Sequence, residues 1–456
     1  MRIRFWGTRG SIAKPGPNTV RYGGNTSCVE VRAEDTLIVL DCGTGAHELG
    51  QQIIAANPDP VRGHMLISHT HWDHIQGFPF FAPLFRAGNE WDVYAPRQRG
   101  RSLQEILAGQ MQYTYFPVPL GELAATIRYH ELTEGEFELG GVRVMTRYLN
   151  HPAPVLGYRL EAGGVSVVYA TDHEPHSRHH TEQRPADGVA PVHAEDKRHI
   201  EFLSNADLVI HDAQYTLEEY PEHLSWGHCP AEWAVDFAVA AHAKRLALYH
   251  HDPSRTDRAV ESLLSRCRQR AANKPDAPEI FAAAEGQYLV VVRPGAETAA
   301  TSGAASATID ERAASREKAT ILVADDDPDV MAVLLDTLEP EGFRVLSANT
   351  GEAALALARA EFPDVIVLDW MMPGKDGLQV CRELRAETDP RLAEVPVVLI
   401  TGRSDAADTA TGFDAGVTDY LTKPFKPSVL LTRLHAWLLR TGPGRGANSP
   451  PPTASR

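Results

Sequence analysis

The sequence predicts an α/β protein in two layered parts, and three observations predict it. Along residues 1–295, short apolar strands alternate with loops and helical stretches, and several of those strands end on histidine or aspartate. Residues 296–317 then turn to Ala, Thr, Ser and Gly with little apolar content, the composition of a flexible linker. From 318 to 440 a new set of near-continuous apolar strands begins, each closing on a polar residue, as in a parallel sheet covered on both faces. Residues 441–456, rich in Pro, Gly and Ser, read as a disordered tail. A chain of 456 residues has room for two or three domains with sizeable cores.

In the first part, residues 2–6 and 28–32 read as strands joined by a glycine-rich loop, and Thr36–Leu40 as a strand ending at Asp41. The apolar strand around His64–Ile67 runs into Ser68-His69-Thr70-His71-Trp72-Asp73-His74. His69 and His71 are two apart, so on extended backbone they share one side, while Asp73 and His74 follow the turn and face back. Imidazoles mixed with a carboxylate suit zinc, manganese or iron better than calcium or magnesium. Three later strands also end on candidate ligands: one before His151, one before Asp172, and Leu246–Tyr249 before His250 and His251. Leu208–Ile210 leads likewise to His211 and Asp212, and Pro230–Lys244 carries a helical pattern. Between His173 and His199 the pattern breaks into a polar, histidine-rich run, read as a solvated surface insertion because it lacks ligand spacing.

The order His-x-His-x-Asp-His, then His, Asp and His, resembles the metallo-β-lactamase fold superfamily over residues 1–295, which implies an αββα sandwich. By that resemblance His69, His71 and His151 hold one metal, Asp73, His74 and His250 hold a second, and Asp172 bridges them. His251 remains the alternative to His250, and Asp41 is the expected partner that orients a ligand histidine. Two such cations roughly 3.5–4 Å apart would ionise a shared water to hydroxide at neutral pH and neutralise charge on a substrate oxygen. Asp73 is counted with the catalytic groups. Gly227-His228, just before the helix near Pro230, is similar to an element of the phosphodiesterase branch, which includes the tRNA 3′-processing enzymes, and makes His228 the expected general acid or phosphate-binding group. The pair His211 and Asp212 would support it. Phe5–Ser11 and Tyr22–Ser27 look like the same branch, so the expected reaction is hydrolysis of a small or cyclic phosphodiester. The alternatives are thioester or lactam hydrolysis, or a metal domain that serves as sensor or scaffold.

In the second part, Thr320–Ala324 ends in Asp325 and Asp326, Val365–Leu368 in Asp369, and Val397–Ile400 in Thr401, with Tyr420 and Lys423 near a fourth strand. This ordered set resembles a response-regulator receiver domain, a flavodoxin-like, doubly wound fold. The resemblance implies that Asp369 accepts a phosphoryl group and that Asp325, Asp326 and the Met371 carbonyl hold Mg²⁺. It further implies that Thr401 and Lys423 bind the phosphoryl oxygens and that Tyr420 moves with the switch. A sensor histidine kinase or phosphotransfer protein is the implied partner, and a homodimer is an open possibility.

Net charge of −16 and a pI near 5.7 argue against a broad nucleic-acid surface. The five cysteines are scattered without paired spacing, as in a reducing compartment. Residues 1–6 lack a signal peptide's apolar run, and no stretch of about 18 apolar residues could span a membrane. The expectation is a soluble, cytoplasmic protein.

Overall fold

The computed structural model describes residues 1–176, 193–292, 319–402, 415–425 and 427–441. The chain divides into two compact units, Met1–Ile309 and Asp310–Arg456. The expected linker lies outside the described residues, as does the expected tail of 441–456 apart from Thr441, which closes the helix Pro427–Thr441.

The first unit holds two seven-stranded sheets. One contains β1 (Arg2–Gly7), β2 (Cys28–Ala33), β3 (Thr36–Leu40), β4 (Arg62–Leu66), β5 (Glu90–Pro96) and β6 (Thr126–Leu132). The other contains β7 (Gly135–Leu139), β8 (Val142–Leu149), β9 (Val155–Ala162), β10 (Val165–Ala170), β11 (Leu208–Asp212), β12 (Arg245–Tyr249) and β13 (Glu279–Ala282). A last strand, β14 (Tyr288–Val290), returns to the first sheet, whose order is β14-β1-β2-β3-β4-β5-β6. The second sheet runs β13-β12-β11-β10-β9-β8-β7.

Sequence pattern explains where each strand sits. Along β8, Val142, Val144, Thr146 and Tyr148 are buried while Arg143, Met145 and Arg147 are less so, the period of two of a one-sided strand. β10 is buried at every position, as a central strand covered on both faces must be. Helices Ala46–Ala56 and Leu103–Gln110 pack on the first sheet around Trp91 and Phe81. Helices Ala194–Leu203, Ala231–Ala240 and Asp257–Ala271 pack on the second around Trp233 and Phe237. The last of these starts where Thr256 accepts a hydrogen bond from the Ala259 amide, a side-chain N-cap. The layers are therefore helix, sheet, sheet, helix, as expected.

Between the sheets, three buried tyrosines act as staples. Tyr158 of β9 donates to the Ile67 carbonyl at 2.6 Å, and Tyr249 of β12 donates to the Gly7 carbonyl at 2.8 Å. Tyr169 of β10 donates to the Asp41 carboxylate at 2.6 Å. Each hydroxyl thus satisfies an acceptor at the end of a strand in the opposite sheet, so the apolar sandwich fixes which strand ends face one another.

Register completes that alignment. Parallel pairing sets Leu40 beside Leu66, so Asp41 and Ser68 emerge together. In the second sheet Ala170 lies beside His211, and Asp212 beside Tyr249, so Asp172, Asp212 and His250 leave the sheet at one edge.

One expectation is corrected here. The run from His173 to His199 is not solvated at its described ends, because His173, Glu174, His176, Asp196 and His199 are all buried. His199 meets His211 Nε2 to Nε2 at 2.9 Å, and His173 stacks on His199 with ring centroids 3.9 Å apart. Residues 177–192 lie outside the described residues. The helix expected over 230–244 is shorter, Ala231–Ala240.

The second unit holds a five-stranded parallel sheet, ordered β16-β15-β17-β18-β19, of β15 (Thr320–Ala324), β16 (Arg344–Ala348), β17 (Val365–Asp369), β18 (Val397–Thr401) and β19 (Asp419–Thr422). Apolar clusters lie on both of its faces, one around Trp370 and Leu355, the other around Leu334 and Trp437. Strand order reverses at β15, next to β17, which opens a crevice at the carboxyl ends of those two strands.

The tyrosine staples give a direct prediction. Tyr158→Phe and Tyr249→Phe each strand a buried carbonyl and are expected to cost the first unit about 1 kcal/mol, read as a lower urea midpoint at unchanged slope.

Candidate metal centre and candidate phosphoacceptor site

Beyond β4 the chain bends at Ser68 and again at His71, then enters a single helical turn, Trp72–Ile75, which carries Asp73 and His74. Asp41, Asp172 and His250 sit just past the ends of β3, β10 and β12 with φ of 56°, 52° and 58°. A left-handed residue there bends the chain sharply at the sheet edge, and Asp and His tolerate it better than branched side chains do.

These turns bring seven expected residues into two adjoining groups, and Asp172 and His250 also come together with His228. His69, His71, His151 and Asp172 form one, and Asp73, His74 and His250 the other, with the ligand atoms of each within 4.8 Å of one another. His71 Nδ1 and His151 Nε2 are 3.2 Å apart. Asp172 reaches both groups: Oδ2 lies 3.6 Å from His69 Nε2, and Oδ1 lies 3.2 Å from His74 Nε2 and 3.3 Å from His250 Nε2. Asp73 Oδ2 lies 3.1 Å from His250 Nε2 and 3.2 Å from His74 Nε2. His251 turns away, its Nε2 bonded to the Ala283 carbonyl at 2.9 Å.

Burial pushes His69 well below the ordinary histidine range, lowers His71, and drives His151 down to about 3. Neutral imidazoles with lone pairs turned inward are the ligand form of histidine. Burial would raise the carboxyls of Asp73 and Asp172, but His74 and His250 outweigh it and hold both well below the usual range. His74 moves up instead: burial opposes its charge, but Asp73, Asp172 and Asp41 outweigh that. His69 Nε2 is buried without a hydrogen-bond partner, a costly state that a cation would relieve. Nitrogen and carboxylate donors in this mixture fit zinc, manganese or iron.

A ring of partners sets the orientation of these ligands. Asp41 accepts from the Ser68 amide at 2.6 Å, the Ser68 hydroxyl at 2.9 Å and the Tyr169 hydroxyl at 2.6 Å, and pairs with His74 Nδ1 at 2.7 Å. His151 Nδ1 faces the Gly227 carbonyl at 2.9 Å, and His250 Nδ1 faces Gln214 Oε1 at 3.2 Å. Ser11 donates its amide to Asp73 at 2.7 Å. Glu174 accepts from the Ser225 and Gly227 amides at 2.8 and 3.0 Å and from the Tyr220 hydroxyl at 2.9 Å, which holds the loop before His228.

His228 is 8% exposed, stacks on His250 at 5.0 Å between ring centroids, and pairs through Nδ1 with Asp212 at 2.9 Å. Burial pulls its pKa down, but the charge and hydrogen bond of Asp212, then Asp172 and Asp73, raise it to about 9. Asp212 also accepts from the His173 and Gln214 amides, and its carbonyl takes His211 Nδ1 at 2.7 Å. The sequence alone assigned no individual role to Ser11, Ser68, Tyr169, Glu174 or Gln214. Glu174 and Gln214 each follow an expected site aspartate by two residues, which is the one signal they offered; Tyr169 is a strand residue like any other.

In the second unit, Asp325 is buried at the end of β15 and Asp369 closes β17, with Thr401 buried at the end of β18. Lys423 donates to Asp325 at 2.8 Å and to Asp369 at 2.6 Å. Met371 gives its amide to Asp369 at 2.7 Å. Asp325, exposed Asp326 and Asp369 offer oxygens within 4.8 Å of one another. Burial raises the Asp369 carboxyl, against the opposing pull of Lys423. For Lys423 burial pulls down, but its bonds to Asp325 and Asp369 outweigh it and the ammonium is held above its ordinary value. Tyr420 lies buried in β19.

Comparison with known proteins agrees with both units. Residues 36–251 match the model of the Beta-lactamase superfamily domain, and residues 321–435 that of the Response regulator receiver domain. The chain thus joins a beta-lactamase superfamily domain to a response regulator receiver domain. Response regulator MprA of Mycobacterium sp. (strain KMS) is 44% identical over 130 residues, 28% of this chain and 55% of that protein. The chain spans about half the length of the curated relatives it matches. Human tRNase Z, short form, is similar in structure with a TM-score of 0.43 and 20% identity, over 64% of this chain and 100% of that one. A putative response regulator from Chloroflexus aurantiacus J-10-fl aligns with a TM-score of 0.25 and 34% identity, over 27% and 98% respectively. Among the described residues, no helix is long and apolar enough to cross a membrane.

Gly227 tests the centre. Its φ is +86°, and an added Cβ would stand 2.1 Å from His151 Nδ1. Gly227→Ala is therefore expected to displace His151 and lower zinc affinity by about 10- to 100-fold, measured by competition with a chromogenic chelator.

Proposed function

We propose that the first unit is a dinuclear metal-dependent phosphodiesterase acting on a small or cyclic phosphodiester, and that phosphorylation of the second unit regulates it. The observation that carries this reading is the convergence of seven N and O donors from separated segments, with His69, His71 and His151 favoured neutral by burial and a buried His69 nitrogen that lacks a hydrogen-bond partner. In this reading His69, His71 and His151 hold one cation, Asp73, His74 and His250 the other, and Asp172 spans both. Zinc, manganese or iron bound there would supply Lewis acidity, ionising water and countering charge on the phosphoryl oxygens.

The chain's own groups do the rest. Asp41 holds His74 in one tautomer, and the Gly227 carbonyl does the same for His151. Asp212 keeps a proton on His228 Nδ1, which leaves Nε2 to hand a proton to the departing oxygen or to bind a phosphoryl oxygen. The paired carboxylates that raise His228 would be partly neutralised by cations, bringing its proton within reach of transfer near neutrality.

For the second unit we assign Asp369 as phosphoacceptor, with Asp325, Asp326 and the Met371 carbonyl as the Mg²⁺ site. Lys423 and Thr401 would bind the phosphoryl oxygens, and Tyr420 would follow them. A phosphoryl group adds about −1.5 to −2 charges beside Lys423, enough to redraw its contacts. A histidine kinase or phosphotransfer protein in a reducing cytoplasm would be the donor.

Two experiments test these assignments. Metal-loaded protein should hydrolyse bis(4-nitrophenyl) phosphate but neither nitrocefin nor an acyl-glutathione thioester, and chelation should remove the activity by at least about 100-fold, with zinc or manganese restoring it. Turnover of the thioester or of nitrocefin alone would replace the phosphodiesterase assignment. Acetyl phosphate should change wild-type turnover and leave Asp369→Asn unchanged; equal rates in all four conditions would remove the regulatory link.

A further inference from the structure

Arg9 is among the largest side chains that the fold buries completely. A buried guanidinium destabilises a fold unless a carboxylate neutralises it or its donors are used. Its Nη2 has no hydrogen-bond partner among the described residues, and Asp257 Oδ1 stands 4.0 Å away. The other donors go to main-chain carbonyls: Nε to Gly23 at 2.8 Å, and Nη1 to Arg255 at 2.6 Å and Asp252 at 3.1 Å. Gly23 lies in the loop between β1 and β2, while Asp252 and Arg255 lie between β12 and the helix Asp257–Ala271. One side chain therefore ties two loops that are far apart in sequence.

The main chain at Arg9 makes the same junction. Arg9 forms a parallel bridge with Thr26 on one side and with His251 on the other. The Gly10 amide donates to the His251 carbonyl at 3.0 Å, and the His251 amide to the Thr8 carbonyl at 2.9 Å. The next two residues touch the candidate metal centre. A Cβ on Gly10 would stand 2.4 Å from the His250 ring, so the loop lies directly against that imidazole. Ser11 donates its amide to Asp73 at 2.7 Å, and its hydroxyl accepts from Gln214 Nε2 at 3.3 Å. Gln214 Oε1 in turn faces His250 Nδ1 at 3.2 Å. The other ligand group is oriented from elsewhere, His151 by the Gly227 carbonyl and His69 by Ser68 Oγ at 3.1 Å.

Resting on the two-cation reading, we propose that Arg9 is a positioning residue for one cation only, the one that Asp73, His74 and His250 would hold. It acts through Gly10 and Ser11, which seat His250 and fix the Asp73 carboxylate. Fork geometry accounts for the residue type, because a guanidinium presents rigid donors to three carbonyls at once and a single ammonium does not. A residue that served the fold alone would, on removal, disturb both ligand groups alike.

The test counts metal rather than turnover. Zinc is titrated into the metal-free full chain with magnesium in excess to fill the acidic cluster at Asp325, Asp326 and Asp369, and bound zinc is read by calorimetry and atomic absorption. Wild type should take up two ions. Arg9→Met should keep one at wild-type affinity and weaken the other by about 10- to 100-fold, and Arg9→Lys should weaken it less. Joined to His250→Ala, Arg9→Met should add no further loss, because both act on the same ion; joined to His151→Ala, it should empty the centre. If Arg9→Met does not fold by circular dichroism, Arg9→Lys decides on the same selectivity. Equal weakening of both ions, or failure of Arg9→Lys to fold, reduces Arg9 to a structural residue and overturns the proposal. A wild-type chain that takes up a single zinc removes the two-cation reading and this inference with it, whereas two ions held at unchanged affinity in wild type and both variants removes this inference alone.

Discussion

The hydrogen-bond shell of Asp41 is the interaction on which the first unit depends. A fully buried carboxylate is tolerable only with its oxygens satisfied, and Asp41 has three donors besides His74. Those partners come from different layers: Ser68 follows β4, Tyr169 lies in β10 of the opposite sheet, and His74 sits on the turn that carries Asp73. One side chain therefore fixes the distance between sheets, the path of the chain after β4 and the tilt of a metal-facing imidazole. Charge-assisted bonds of this kind contribute about 1.5–3 kcal/mol each, but their geometric effect matters more here.

Strand ends do the remaining work. Asp41, Asp172 and His250 each take a left-handed backbone one or two residues past a strand, so that the side chain turns across the sheet edge instead of continuing along it. Glycine appears where even a methyl would intrude. A Cβ on Gly10 would stand 2.4 Å from the His250 ring, and one on Gly227 would strike His151. Close backbone approach from two loops thus shapes the cluster as much as the ligands do. The second unit uses the simpler device of a parallel sheet, whose carboxyl ends bring Asp325 and Asp369 to a shared lysine.

Much of this was legible in the chain. The cluster from His69 to His74 is compact enough to announce itself, and apolar runs ending in His151, Asp172 and His250 are strong period-two and buried-strand signals. The receiver's strands were equally plain because each is nearly continuous in Val, Ile and Leu. Tyr169, Ser68 and Gln214 were not legible, since their roles come from register across strands far apart in sequence, and register leaves no local mark. The histidine-rich stretch misled for a related reason. His173, His176 and His199 look like loop residues by composition, yet each is buried, and His199 meets the strand residue His211 by a contact that no spacing rule reports.

Tying Tyr169 to His74 through Asp41 has a thermodynamic corollary. Whatever occupies the cluster binds the folded sandwich and not the unfolded chain, so occupancy adds free energy to the fold in proportion to RT ln(1 + [L]/Kd). The melting temperature of the first unit then serves as a gauge of how full the site is, and damage to the sheet interface far from the cluster should register as weaker binding of whatever cation is offered to it.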